Sequence, residues 1–236
     1  MKALILNSGM GERLHPLTLL LPKAMMKLGD NVLLGHQIES LKECGIKDLL
    51  ITTGHFEDKI KQYVSDHHSS INVKYIKNPI YDTTNYIYSM WLTKENIDDD
   101  IILLHGDLIF ETGLLKRIIK KGSKNCILIN RNIKAPKKDF KAIIKDERII
   151  KIGVKLDSQH AFYVAPLYKL ERTTFLHWLV RIEEFIEKGF VNIYAEDVFN
   201  EYYNEIQLQP VYYDKELCME IDTLEDLKIA EKLFNQ

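Results

Sequence analysis

Asn7-Ser8-Gly9-Met10-Gly11-Glu12-Arg13-Leu14-His15-Pro16-Leu17-Thr18, led in by Ala3-Leu4-Ile5-Leu6 and followed by Leu21-Pro22-Lys23, is the stretch on which the fold of this chain turns. The lead-in has the length and apolar character of a buried strand. Glycines directly after a strand let backbone N–H groups approach phosphate oxygens with no Cβ in the way. Arg13 and Lys23 add two cations suited to phosphate. The dinucleotide fingerprint does not fit, because Leu14 takes the third glycine position and Pro16 interrupts the helix that should follow. A Walker A loop does not fit either, since no Gly-Lys-Ser or Gly-Lys-Thr occurs. The competing reading is an ordinary strand-to-helix turn with two exposed cations. The offsets of Arg13, Pro22 and Lys23 from an N-terminal strand favour a triphosphate loop.

Outward from this loop, apolar runs of strand length recur at Leu49–Thr52, Val73–Ile76, Ile101–Leu104 and Ile127–Ile129. Between them lie stripes of helical period: Leu34, Ile38 and Leu41, closed by Gly45; Ile60 and Val64; Leu114, Leu115, Ile118 and Ile119. Strand–helix alternation predicts a three-layer α/β/α fold on a largely parallel sheet. From about residue 140 the pattern shortens. Phe140–Ile144, Ile149–Ile152 and Ala161–Val164 predict antiparallel hairpins. Helices follow over Glu171–Lys188 and Glu196–Tyr203, then a strand at Cys218–Ile221 and a helix over Leu224–Phe234. No repeat or linker divides the chain. We read residues 1–236 as a single domain, with a first half to about 135 that carries the loop and a second half from about 136.

The 236 residues suffice for one sizeable core. With 32 Lys and Arg against 34 Asp and Glu, the net charge is −2. Such a chain has no general attraction for nucleic acid or an anionic membrane, so an anionic substrate needs a local basic site. Cys44, Cys126 and Cys218 are scattered and odd in number, against a disulfide framework or a zinc site. The N-terminal apolar run is too short for a signal-peptide core, and no stretch approaches a membrane span. A cytoplasmic protein is expected.

Two aspartates stand just past buried strands: Asp107 in His105-Gly106-Asp107, and Asp222 after Cys218-Met219-Glu220-Ile221. Carboxyl ends of strands are where α/β folds place ligands, and two carboxylates can share one Mg²⁺ through hard oxygen donors. Turn formation is the competing reading for Asp107. For Asp222 it is a helix N-cap completed by Glu225. Tyr81–Trp91 reads as a helix capped by Thr84 or Asn85, with Ile87, Met90 and Trp91 facing the core; Asn85 and Ser89 share one face at i, i+4. His55, His67, His68 and His160 lack ligand spacing, and Lys134–Lys138 reads as a solvated basic loop.

These motifs together resemble the sugar-phosphate nucleotidyltransferases and small-molecule cytidylyltransferases. Gly9-x-Gly11-x-Arg13 with Pro22-Lys23, Gly106-Asp107, and Glu220-Ile221-Asp222 with Asp226-Leu227 match the family's signatures, while Asn7-Ser8 replaces its Ala-Ala. Tyr81-x-x-x-Asn85-x-Ile87-Tyr88-Ser89 is similar to the segment found in phosphocholine and phosphonate cytidylyltransferases. The resemblance implies a mixed, mostly parallel, Rossmann-like sheet. It implies transfer of CMP from CTP to a small amine-bearing phosphorylated acceptor, with Mg²⁺ as cofactor and pyrophosphate released. Arg13, Lys23, Asp107 and Asp222 would be catalytic, the two aspartates also holding metal. Leu6, Asn7, Ser8, Gly9, Gly11, Asn85 and Ser89 would bind the nucleotide. Tyr194, Tyr202 and Tyr203 would offer aromatic faces to a cation, with Glu196 and Asp197 pairing with the acceptor amine. A sugar-1-phosphate nucleotidyltransferase and a non-catalytic domain of the same fold are the alternatives. The oligomeric state, a homodimer included, is left open.

Overall fold

β1 (Lys2–Leu6) stands at the middle of a nine-stranded sheet in a computed structural model that describes residues 1–157 and 159–234. In chain order the first half supplies β2 (Lys27–Leu28), β3 (Asn31–Val32), α1 (Leu33–Glu43), β4 (Asp48–Thr53), α2 (Glu57–His67), β5 (Asn72–Lys77), α3 (Tyr86–Trp91), β6 (Ile101–His105), β7 (Leu108–Phe110), α4 (Thr112–Lys120) and β8 (Cys126–Asn130). The second half supplies β9 (Lys141–Lys145), β10 (Arg148–Gly153), β11 (Phe162–Leu170), α5 (Arg172–Glu187), α6 (Ala195–Glu201), β12 (Gln209–Tyr213), β13 (Cys218–Glu220) and α7 (Leu224–Phe234).

β5, β4, β1 and β6 run parallel in that order. β11 then pairs antiparallel with both β6 and β8, and β12 adds to β8 in parallel. The sheet is therefore mixed and mostly parallel, as the sequence predicts. Alternation along β1 explains the layers. Ala3 and Ile5 face α1, α2 and α4 through Ile38, Leu41, Ile60, Val64 and Leu115. Leu4 and Leu6 face α3, α5 and α6 through Ile87, Trp178, Leu179 and Phe199. A third, smaller cluster seats α7 by Leu227 and Ala230 against Leu14, Leu28 and Ile221.

Two departures from the predicted elements have local causes. The run expected at Ala161–Val164 extends to Leu170, because β11 crosses from the β9–β10 hairpin into the main sheet, pairing with β9, β8 and β6. β12, which the sequence reading does not include, carries Pro210, which lacks an N–H donor; it is tolerated where, among the described residues, β12 pairs with β8 alone. No helix among the described residues is long and apolar enough to cross a membrane.

Candidate active site

The connections from β1 run one way to β4 and β5, and from β6 the other way to β11, β8 and β12. The crevice past the carboxyl ends of β1 and β6 is thus a topological switch point. A cavity of about 500 Å³ opens there. From β1 it receives Leu6 and the loop Asn7–Arg13; from β6, His105, Gly106 and Asp107. Gly11 carries φ +67°, which suits glycine and turns the chain into the short 3-10 helix Glu12–Leu14. Gly106 is needed for contact: a Cβ there would lie 1.6 Å from Asn7 Oδ1 and 2.7 Å from the Leu6 carbonyl. The Asn7 side chain is thereby laid across the β6 end, with its Nδ2 buried and unpartnered.

β7 and β13 bring the two aspartates together. They pair antiparallel, Leu108 opposite Glu220, and the Ile221 N–H donates to the Asp107 carbonyl at 2.9 Å. Lys23 Nζ then bridges the carboxylates, 2.5 Å from Asp107 Oδ2 and 2.6 Å from Asp222 Oδ1, and Arg13 Nη2 donates to Asp222 Oδ1 at 2.8 Å. Burial alone would lower the Lys23 pKa, but the two carboxylate charges outweigh it and hold the ammonium above its ordinary value. Burial likewise opposes ionisation of Asp107, and Lys23 with His105 outweighs it, so that carboxyl lies below its usual range. Asp107 Oδ1 is buried without a partner. Asp222 does not cap α7: Thr223 Oγ1 accepts from the Asp226 N–H, and Asp226 Oδ2 accepts from the N–H groups of Thr223 and Asp222. The competing reading of Asp222 as a cap completed by Glu225 does not hold: Thr223 and Asp226 form a capping box one residue further on, leaving the Asp222 carboxylate to the cations.

His105 and Glu220 form a second buried pair, Nδ1 to Oε1 3.4 Å, beside Asp107. Burial pushes the Glu220 carboxyl up to about 7 against the pull of His105, while Glu220 holds the imidazole above its ordinary value against burial. Ligand atoms of His105, Asp107 and Glu220 lie within 4.8 Å of one another. The site can hold a divalent cation. The free Asp107 oxygen and the oxygen pair bridged by Lys23 suit a hard metal, whereas the imidazole would suit a softer one.

The far wall is aromatic. Tyr86 packs edge-on to His105 (4.8 Å between ring centroids) and tilted to Tyr194 (6.0 Å), and Phe140 packs edge-on to Tyr194 (5.1 Å); all four line the cavity. Glu196 and Asp197 do not line it. Glu196 is buried and accepts from the hydroxyls of Tyr86 and Tyr168, while Asp197 accepts from the Tyr194 N–H at 2.9 Å in a capping box at the start of α6. Tyr202 stacks under Arg181, and Tyr203 packs against the core away from the cavity. Asn85 lines the cavity and caps α3 through the Tyr86 N–H. Ser89 is one layer behind: its Oγ meets Ser8 Oγ at 2.6 Å and accepts from Asn78 at 2.9 Å. Sequence reasoning misses His105, Lys138 and Phe140 as cavity residues. A histidine directly before Gly106-Asp107 is a signal that could have found the first; a lysine in a basic loop is none.

A family model described as nucleotidyl transferase matches residues 2–205. CTP:phosphoglutamine cytidylyltransferase of Campylobacter jejuni is 27% identical over 97% of this chain and 98% of its own. CMP-5'-(3-aminopropyl)phosphonate synthase of Streptomyces rubellomurinus is 26% identical over 56% of this chain, a match spanning only 21% of that longer protein. The structure of CTP:phosphocholine cytidylyltransferase from Streptococcus pneumoniae superimposes with a TM-score of 0.82 at 22% identity, covering 99% of this chain and 98% of that one. Sugar-phosphate nucleotidyltransferases are among the further matches.

Proposed function

The chain belongs to the nucleotidyl transferase family, and we propose that it is a CTP-dependent cytidylyltransferase that moves CMP onto a small amine-bearing phosphate and releases pyrophosphate. One observation carries the reading: the phosphate loop, both aspartates and an aromatic wall share a single cavity. Residues to about 135 serve the nucleotide, and the rest build the acceptor wall.

In this reading Arg13, Lys23 and the amides of the Gly9–Gly11 loop take the triphosphate. Asp107 and Asp222 would hold Mg²⁺, which when bound neutralises charge on the phosphates. The acceptor phosphate is already anionic at neutral pH and needs no general base. Catalysis then rests on in-line positioning and charge stabilisation. Leu6, Asn7, Ser8 and Gly9 lie where the base and ribose enter. Cytosine offers an N4 donor and an O2 acceptor, and the unpartnered Asn7 amide and the Ser8–Ser89 hydroxyl pair match that need for small polar groups. The faces of Tyr86, Phe140 and Tyr194 suit a cation. Glu196 and Asp197 serve the acceptor indirectly, through the cavity tyrosines Tyr86 and Tyr194, with the Glu196 charge placed behind Tyr86.

The experiment is mass spectrometry of products from a matrix of the four NTPs against phosphocholine, an aminoalkyl phosphonate, a phosphorylated amide and glucose 1-phosphate. CTP with an amine-bearing acceptor is expected to exceed every other combination at least about tenfold in kcat/KM, a difference of about 1.4 kcal/mol. Equal use of UTP or preference for a purine would refute the donor assignment. Efficient turnover of glucose 1-phosphate would make this a sugar-1-phosphate enzyme.

A further inference from the structure

Lys141 opens β9, yet its side chain turns inward and only 3% of the residue is exposed. Lysine is rarely buried without partners. Here the partners are backbone carbonyls: Asp139 at 2.7 Å, Pro136 at 3.2 Å and Lys137 at 3.5 Å from the loop that joins β8 to β9, and Val154 at 2.8 Å just past the end of β10. An ammonium has three donors and no acceptor, so it can draw inward-turned carbonyls together; that of Pro136 also accepts the Asp139 N–H at 3.2 Å. The effect is a brace between the loop and the hairpin. Lys138, Phe140 and Val154, all on the braced segments, line the cavity. Lys138 Nζ rests on Asp226 Oδ2 and lies 3.8 Å from Asp222 Oδ2. Arg13 and Lys23 approach Asp222 from the N-terminal loop; Lys138 approaches it from the other half of the chain.

We propose that Lys141 is a positioning residue, clasping residues 136–139 to Val154 so that Lys138 is held over Asp222 and Asp226 as a third phosphate-binding cation. The ligand chemistry is a phosphate oxyanion, from the donor's triphosphate or from the acceptor's monoester. The proposal rests on the nucleotidyltransferase reading but not on CTP as the donor.

The test is a double-mutant cycle on the full chain, read as binding of Mg²⁺–pyrophosphate in one arm and of phosphocholine in the other. In the arm that Lys138 serves, Lys138→Ala and Lys141→Met should each weaken binding about tenfold, and the double variant should be no weaker than either alone, because both remove the same cation. Lys134→Ala, on the same loop but away from the cavity, should bind as wild type. Additive losses, or no loss in either arm, would overturn the proposal. Should Lys141→Met fail to fold, amine-reactive labelling of the wild type decides: protection of Lys138 but not Lys134 by pyrophosphate or phosphocholine is expected, and equal labelling of Lys138 with and without both ligands refutes it. A wild type that binds neither ligand would instead count against the nucleotidyltransferase reading.

Discussion

Asp107→Asn and Asp222→Asn are each expected to lower the rate of pyrophosphate release by about 10²-fold or more, with the melting temperature held within a few degrees. The substitution keeps shape and removes one charge. At Asp107 the loss falls on a carboxylate with one oxygen on Lys23 and the other buried and unpartnered. At Asp222 it falls on the oxygen that gathers Lys23 and Arg13. Neither change should cost much stability, since in each variant Lys23 keeps one carboxylate. The contrast is Asp226→Ala. Asp226 accepts the Thr223 and Asp222 N–H groups at the start of α7, so its loss should cost about 1 kcal/mol, or roughly 2–4 °C in a chain of this size. Asp222→Asn with a near-normal rate and a lowered melting temperature would return Asp222 to a structural role. Pyrophosphate release undiminished by EDTA would remove the metal from the reaction.

The parts of this site that are legible in sequence are contiguous strings at strand ends. Asn7 to Arg13 and Gly106-Asp107 follow β1 and β6 directly, so a strand reading already places them at one edge of the sheet. Four of the strands read from sequence, β1, β4, β6 and β8, are legible for a related reason, being buried and largely apolar because helices cover both faces, whereas β5, at the sheet edge, carries Lys74 and buries none of its residues. What sequence does not carry is the pairing that decides between competing roles. Thr223 and Asp226 take the cap that could have been assigned to Asp222 and Glu225 only because β13 ends where Ile221 bonds to Asp107. Glu196 looks like an acceptor carboxylate in sequence, and the fold buries it under two tyrosine hydroxyls. Lys138 reads as solvent-facing until the Lys141 brace, a contact made entirely to backbone carbonyls and so invisible in residue types, folds its loop inward.

Lys23→Met should be the most damaging single change, in both rate and stability, and a divalent metal should repair the second but not the first. Lys23 is 15% exposed as a side chain, between carboxylates exposed 21% and 8%. Removing one partner of a buried ion pair leaves uncompensated charge and costs on the order of 3 kcal/mol or more; Arg13, itself 61% exposed, can offset only part of this at Asp222. The pH dependence has a definite sign. Asp107 has a folded pKa below its ordinary value near 3.8, so its contribution is present above that value and is lost as pH falls through the lower folded value. In Lys23→Met the Asp107 pKa should rise, and the stability deficit should shrink as acid neutralises the freed carboxylate. If Asp107 and Asp222 hold Mg²⁺ as proposed, the metal would compete with the Lys23 ammonium for their oxygens. The metal should therefore raise the melting temperature of Lys23→Met more than that of the wild type, through tighter binding to the folded state. The rate should stay at least about 10²-fold down even in saturating Mg²⁺, because in the proposed reading the Lys23 ammonium would supply charge to the triphosphate that Met cannot replace. Thermal melts of both proteins with and without Mg²⁺, beside pyrophosphate release, separate the two effects. Equal metal-induced shifts would show that lysine and metal do not share the aspartates, and a wild-type rate for Lys23→Met would remove Lys23 from the chemistry.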